Sequence, residues 1–304
     1  MERTMKINKP KYSGGMVEKP TIGGRITNFT LLLIALFAAF ICVIPMWHVL
    51  MSSLSDGFEL LSYRGLVVFP IGQPTLEGYR LIFRDESVLT GYMNTVIYVI
   101  GTVGLGFILN VLGGYAISRD TKLKKAMTIY LIFSMMFSGG MIPTYMVLNG
   151  IGLVGSRAAI IFQEATMGML IIIGANAFRG VPDSTVQAAR IDGAGHLRTM
   201  FQVMLPQCIP LFMVTILNTF VGSWNSWLTA SIYVPSDRSK WPIQLIINDL
   251  VNRNANFLET ANPNYSRYLI RFAIIVAATL PILVAFPFFQ KQIEAGVIQG
   301  AVKE

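Results

Sequence analysis

Apolar residues in this chain come in long uninterrupted blocks, not in the short amphipathic repeats of a water-soluble domain. No charged residue lies between Arg25 and Asp56, between Glu86 and Arg119, between Lys125 and Arg157, or between Arg198 and Asp237. A further block at 158–178 holds a single acid, Glu164, and a last one at 272–290 holds none. Crossing the hydrocarbon core of a bilayer takes roughly 20 apolar residues as helix, because the backbone there must satisfy its own hydrogen bonds. The pattern therefore predicts an all-α membrane protein with six transmembrane helices, over 27–50, 89–117, 126–148, 158–178, 204–230 and 270–290. They form one transmembrane domain at 26–290, between an N-terminal segment, 1–25, and a C-terminal tail, 291–304.

Composition agrees with this pattern. The 304 residues are 53% hydrophobic and only 13% charged, with a mean hydropathy of +0.57. The net charge of +8 would suggest nucleic acid in a soluble protein. Here the cations sit in short connectors between apolar blocks, where they orient a chain in the bilayer, and no nucleic-acid partner is expected. Fifteen Lys and Arg residues fall on the side of the N-terminus, including Arg119, Lys124, Arg179 and Arg190, against nine on the other, including Arg80, Arg157 and Lys240. Basic residues are retained in the cytoplasm, so both termini are expected to be cytoplasmic. The first apolar block is long enough to span and is expected to be kept as a helix, not cleaved as a signal peptide. Cys42 and Cys208 both lie in apolar stretches, which suggests neither a disulfide framework nor a metal site. The outer loops, 52–87 and 236–266, carry Tyr63, Tyr79, Trp241 and Tyr265 as interface anchors. They can cap a pore, receive a partner or simply connect.

The most informative stretch is 181–206, between the fourth and fifth spans. Pro182, Asp183 and Ser184 supply a helix start, and Ala188 and Ala189 sit at the centre of a short helix. Gly193 and Gly195 then break it. A second piece places Leu197, Met200, Phe201 and Met204 at helical spacing before Leu205 and Pro206 open the next span. A short alanine-bearing helix lets another protein approach its backbone closely, which suits a mechanical contact.

In order and spacing, Gln187-Ala188-Ala189, Asp192-Gly193-Ala194 and Leu205-Pro206 resemble the EAA loop of binding-protein-dependent ABC importer permeases. The likeness extends over nearly all of the chain after residue 26. Asn94-Thr95, Gly113-Gly114-Tyr115-Ala116, Gly140-Met141-Ile142-Pro143, Trp224-Asn225-Ser226-Trp227 and Trp241-Pro242 look like the MalG-like carbohydrate branch, of the kind serving complex oligosaccharides. The resemblance implies the type I ABC importer permease fold in a bacterial cytoplasmic membrane. It also implies a homologous permease partner, two ATP-binding subunits below and a sugar-binding protein outside. ATP and Mg would belong to the ATPase, with no cofactor on this chain. Gln187, Ala188, Ala189, Asp192, Gly193, Ala194, Leu205 and Pro206 would form the ATPase-coupling element. Gln187 departs from the family's glutamate, which replaces a charge-assisted bond by a neutral one of about half the strength.

Within the spans, Glu164 is the sharpest polar candidate, because a carboxylate in lipid is costly and usually faces a bundle interior or cavity. With Gln163 it could meet sugar hydroxyls or pair across a helix interface. Trp224, Asn225 and Trp227 offer a stacking surface with a polar handle, or interface anchors. An enzyme is disfavoured, since His48 and His196 are expected on opposite sides and no His-Glu-x-x-His or Gly-Lys-Ser/Thr motif occurs. An ion-gradient-driven transporter or channel using Glu164 is the other reading.

Overall fold

A computed structural model of the chain describes residues 22–252 and 267–301, and no strand occurs among them. The helices are α1 (Ile22–Ser53), α2 (Gly57–Ser62), α3 (Glu77–Arg84), α4 (Glu86–Ser118), α5 (Lys124–Met136), α6 (Met141–Gly150) and α7 (Arg157–Ala165). They continue as α8 (Gly168–Arg179), α9 (Asp183–Ile191), α10 (His196–Arg198), α11 (Leu205–Trp224), α12 (Leu228–Tyr233), α13 (Ile243–Asn252) and α14 (Arg267–Ala301). A π turn at Thr199–Met204 joins α10 to α11, and a 3-10 turn at Arg238–Lys240 precedes α13. The basic residues expected before residue 22 and the part of the outer loop at 253–266 lie outside the described residues.

Four helices are individually long and apolar enough to cross a membrane, and two bent pairs supply the remainder if each pair is one span. The third predicted span is α5 and α6, bent by 117°. Its break falls at Phe137–Gly140, where Gly140 adopts φ +83, a left-handed conformation favourable only to glycine. Pro143 then lies in the first turn of α6, where its missing N–H leaves no intrahelical bond unmade. The fourth predicted span is α7 and α8, bent by 47° at Thr166 and Met167. The fifth ends as a helix at Trp224, short of the predicted 230. The sixth helix runs on past 290 to Ala301, into the predicted tail.

Helix α4 is the spine, packed against α7, α8, α11 and α13. Small residues make this possible. A Cβ on Gly114 would come within 2.8 Å of the Gly174 carbonyl carbon on α8, so the two backbones touch. In a bilayer, helices associate through such close contact because lipid is as apolar as their side chains. Asn110 on α4 donates to Thr215 Oγ1 on α11 at 2.9 Å, adding a polar tie at the same level. By contrast, α1 packs on α14 at the edge and leaves Phe29, Leu32, Phe37 and Phe40 exposed, as a lipid-facing helix requires.

Two apolar clusters lie at opposite ends of the spine. One surrounds Tyr98, Ile160, Tyr233, Trp241 and Ile246. The other gathers Val111, Phe178 and Phe212 from the spans with Val186, Met200 and Met204 from the 181–206 loop. Gly114→Leu is expected to destabilise the bundle by about 1–3 kcal/mol through overpacking. Gly104→Leu, where an added Cβ meets nothing within 4 Å, should leave the unfolding midpoint unchanged; thermal-shift measurements in detergent compare the two.

Candidate functional site

The loop between α8 and α11 is held firmly to the bundle. Helix α9 starts at Asp183 after Pro182 and buries Val186 and Ala189, three residues apart on one face. It ends in paired backbone bonds: Gly193 N–H donates to Arg190 O at 3.0 Å and Ala194 N–H to Ala189 O at 2.9 Å. This is the Schellman arrangement, and Gly193 takes the left-handed φ of +77 that it needs. Asp192 caps the helix end and is exposed, as are Gln187 and Ala188.

Beyond the turn the structure departs from a regular amphipathic helix. The π turn shifts the register, since Leu205 N–H donates to Met200 O, five residues back. Met200 and Met204 are buried at 1% and 0% exposure, whereas Leu197 and Phe201 stand out at 66% and 50%. Leu205 packs on the Phe178–Phe212 cluster and Pro206 lies in the first turn of α11. Ile191 is 86% exposed, which the sequence reading passed over. The signal was present: with Val186 and Ala189 facing inward, an apolar residue at 191 falls off the buried stripe.

The spans grip the loop from beneath. Tyr115 packs edge-on against Phe178, and its hydroxyl lies 3.2 Å from His196 Nδ1. Arg119 Nη2 donates to Phe178 O, and Arg179 Nη2 donates to Ile117 O, each at 3.4 Å. Each guanidinium thus caps a C-terminal carbonyl of the other's helix, where the helix dipole favours a cation.

Midway along the spine a second feature appears. Gly106 on α4 faces Ala165 O and the Thr219 methyl, and beside them the break between α7 and α8 meets the end of α11. That break and the end of α11 border a cavity of about 240 Å³, lined by Glu164, Asn225, Ser226 and Trp227 together with the apolar Met167 and Leu228 among others. Glu164 Oε1 accepts from the Ser226 hydroxyl, while Oε2 is buried with no hydrogen-bond partner. Asn225 and Trp227 therefore join Glu164. Gln163 is exposed and is not part of the lining. Trp224 is also absent from it: its indole is buried between Tyr92 and Phe220, and Nε1 donates to Ala278 O on α14 at 3.1 Å. It braces two helices.

The end of the bundle opposite α9 is clasped by polar side chains. Asn94 Nδ2 donates to Ser239 O and Trp241 O at 2.7 and 3.1 Å, and Arg157 Nη2 donates to Asn94 Oδ1 at 2.8 Å. Tyr98 donates to Lys240 O at 2.7 Å, and Lys240 Nζ to Gly155 O at 2.8 Å. The Ser239 hydroxyl and Lys240 hold the Asp237 carboxyl down to about 2, so it is ionised throughout the physiological range. His48 lies at this end too, accepting from Val67 N–H, whereas His196 lies at the other.

Span-length apolar helices, a cavity bordered by Glu164, and a loop seated on one end of the bundle describe a polytopic membrane component. The family model described as binding-protein-dependent transport system inner membrane component matches residues 102–299, and the chain belongs to that family. The polygalacturonan/rhamnogalacturonan transport system permease protein YtcP of Bacillus subtilis (strain 168) is 33% identical over 88% of this chain and 95% of its own length. The diacetylchitobiose uptake system permease protein NgcG of Streptomyces coelicolor is 26% identical over 86% and 85%. Among solved structures, a chain of a bacterial ABC transporter involved in the import of the acidic polysaccharide alginate shares the fold. Its TM-score is 0.79 at 24% identity, covering 90% of this chain and 99% of that one.

Asn94→Ala is expected to cost about 1–3 kcal/mol by stranding buried partners. Combined with Arg157→Ala in a double-mutant cycle it should show a coupling of about 1 kcal/mol, read from denaturant unfolding in mixed micelles.

Proposed function

We propose that the chain is the permease subunit of an ATP-driven importer of carbohydrate, of oligosaccharide size, and that 181–206 is its coupling element. The observation that carries this reading is the seating of that loop: Val186, Met200 and Met204 are sunk into the same cluster as Val111, Phe178 and Phe212 of the spans. A push on α9 therefore reaches α4, α8 and α11 through the π turn and this shared cluster. Force from a separate ATPase would rock the spans between inward-facing and outward-facing states, a rigid-body switch. Ala188, Ile191 and Leu197 are the exposed apolar contacts offered to the ATPase, with Asp192 and the neutral Gln187 as polar ones.

Membership of the family supports an assembly in a bacterial inner membrane with a homologous permease, two ATP-binding subunits carrying ATP and Mg, and an extracytoplasmic binding protein. The names of YtcP and NgcG support a sugar polymer or oligomer as cargo. The excess of Lys and Arg on the side of the N-terminus supports a cytoplasmic position for α9 and for both termini. The cavity of Glu164, Asn225 and Trp227 is assigned to the sugar path: hydroxyl, amide and carboxylate groups beside an indole suit a sugar ring.

Gly193→Val strains the left-handed turn, and Ala188→Arg blocks close approach at the tip. Each is expected to abolish uptake in vesicles carrying the whole transporter, with insertion unchanged on blots; normal uptake in both rejects the coupling role. Uptake by the native assembly should persist when the proton gradient is collapsed and stop without ATP. The reverse pattern would instead support Glu164 as the carrier of an ion-driven transporter.

A further inference from the structure

Beneath α9, the connection between α4 and α5 and the end of α8 enclose a recess of about 440 Å³. Its charged lining consists of Arg119, Lys124, Arg179 and Arg190 with Asp120 and Asp183, four cations against two carboxylates. Lys124 is held by Asp120 at 2.6 Å, and that carboxylate is turned outward at 96% exposure. Neither Arg119, Arg179 nor Arg190 has a carboxylate within ion-pair distance among the described residues. Arg119 and Arg179 donate to neutral oxygens, and the Arg119 guanidinium also lies over the Tyr115 ring, 5.7 Å from its centroid. These contacts orient the guanidiniums, and the nearby Asp120 offsets their charge only in part.

We propose that this recess binds a phosphate-bearing anion. A guanidinium presents a planar fork of donors that matches phosphate oxygens two at a time, and several aimed into one cavity make a site of that chemistry. Depth favours the headgroup of an acidic phospholipid as the source. Arg119 follows the last residue of α4, Arg179 is the last of α8 and Lys124 the first of α5, so the recess lies where apolar spans give way to the interface. Free inorganic phosphate carries the same chemistry and is the other source. Occupancy would place a counter-charge under Arg190 and steady α9. The site stands on the charge distribution alone, independently of the coupling role of α9.

The full chain, reconstituted in nanodiscs of phosphatidylcholine, is titrated with phosphatidylglycerol or, separately, with inorganic phosphate, and the unfolding midpoint is followed. Phosphatidylglycerol is expected to raise it. Arg190→Gln should weaken the apparent affinity about fivefold and Arg190→Glu about 25-fold, following the value of one basic charge near an anionic surface. Arg238→Gln at the far end should have no effect. Stabilisation by inorganic phosphate in pure phosphatidylcholine, with the same response to Arg190, identifies free phosphate as the source and supports the site. Equal response to Arg190 and Arg238 variants, or none to either probe, overturns it. So does a loss of ATPase binding in the Arg190 variants with both anion titrations unaltered, which would make the recess a protein-docking surface.

Discussion

A backbone inside hydrocarbon has no solvent from which to draw hydrogen bonds, so every interruption of a helix there must find its partners nearby. This constraint organises the molecule. At three interruptions among the described residues a short polar side chain adds a bond to the backbone. Ser138 Oγ accepts from Gly140 N–H ahead of α6, Thr166 donates to Phe162 O between α7 and α8, and Asn225 Nδ2 donates to Val221 O after α11. Two of the breaks, the one between α7 and α8 and the end of α11, lie side by side and border the cavity at Glu164. Irregular backbone and cavity depend on each other: the cavity lets the chain bend, and the bend makes room for the cavity.

Around these interruptions the remainder of the bundle is tied tightly. Glycine contact at Gly114 brings α4 and α8 to backbone distance, the Asn110–Thr215 bond joins α11, and the Trp224 indole joins α11 to α14. One end is closed by bonds from side chains to main-chain carbonyls, the other by an apolar cluster shared with the α9 loop. Stiff elements meeting at soft breaks are what a two-state rigid-body movement requires, because packed interfaces switch between arrangements more readily than they deform.

Much of this was legible in the sequence, and the parts that were not share a cause. Uninterrupted apolar length located the four long helices, and Pro182, Gly193 and Pro206 marked the boundaries of the loop. Hydropathy carries no direction, so it could not separate α5 from α6 or α7 from α8, although Gly139-Gly140 stood at the first of those breaks. Helical spacing put Leu197, Met200, Phe201 and Met204 on one face; the π turn, invisible to a 3.6-residue period, divided them. Trp224 and Trp227 read alike as aromatic residues near a helix end. Only packing shows that the first is a strut and the second borders the cavity. The partners of Glu164 were equally hidden, since Ser226 is 62 residues away in the chain.

The clasp at the Asn94 end has a corollary for descent. Its donors are particular side chains, but its acceptors at Ser239, Lys240, Trp241 and Gly155 are peptide oxygens, which every amino acid provides. Exchanging Ser239 for another residue changes the outward chemistry of that corner without removing the oxygen that Asn94 grips. A lineage could thus redecorate this face over time while the fastening beneath it stays the same.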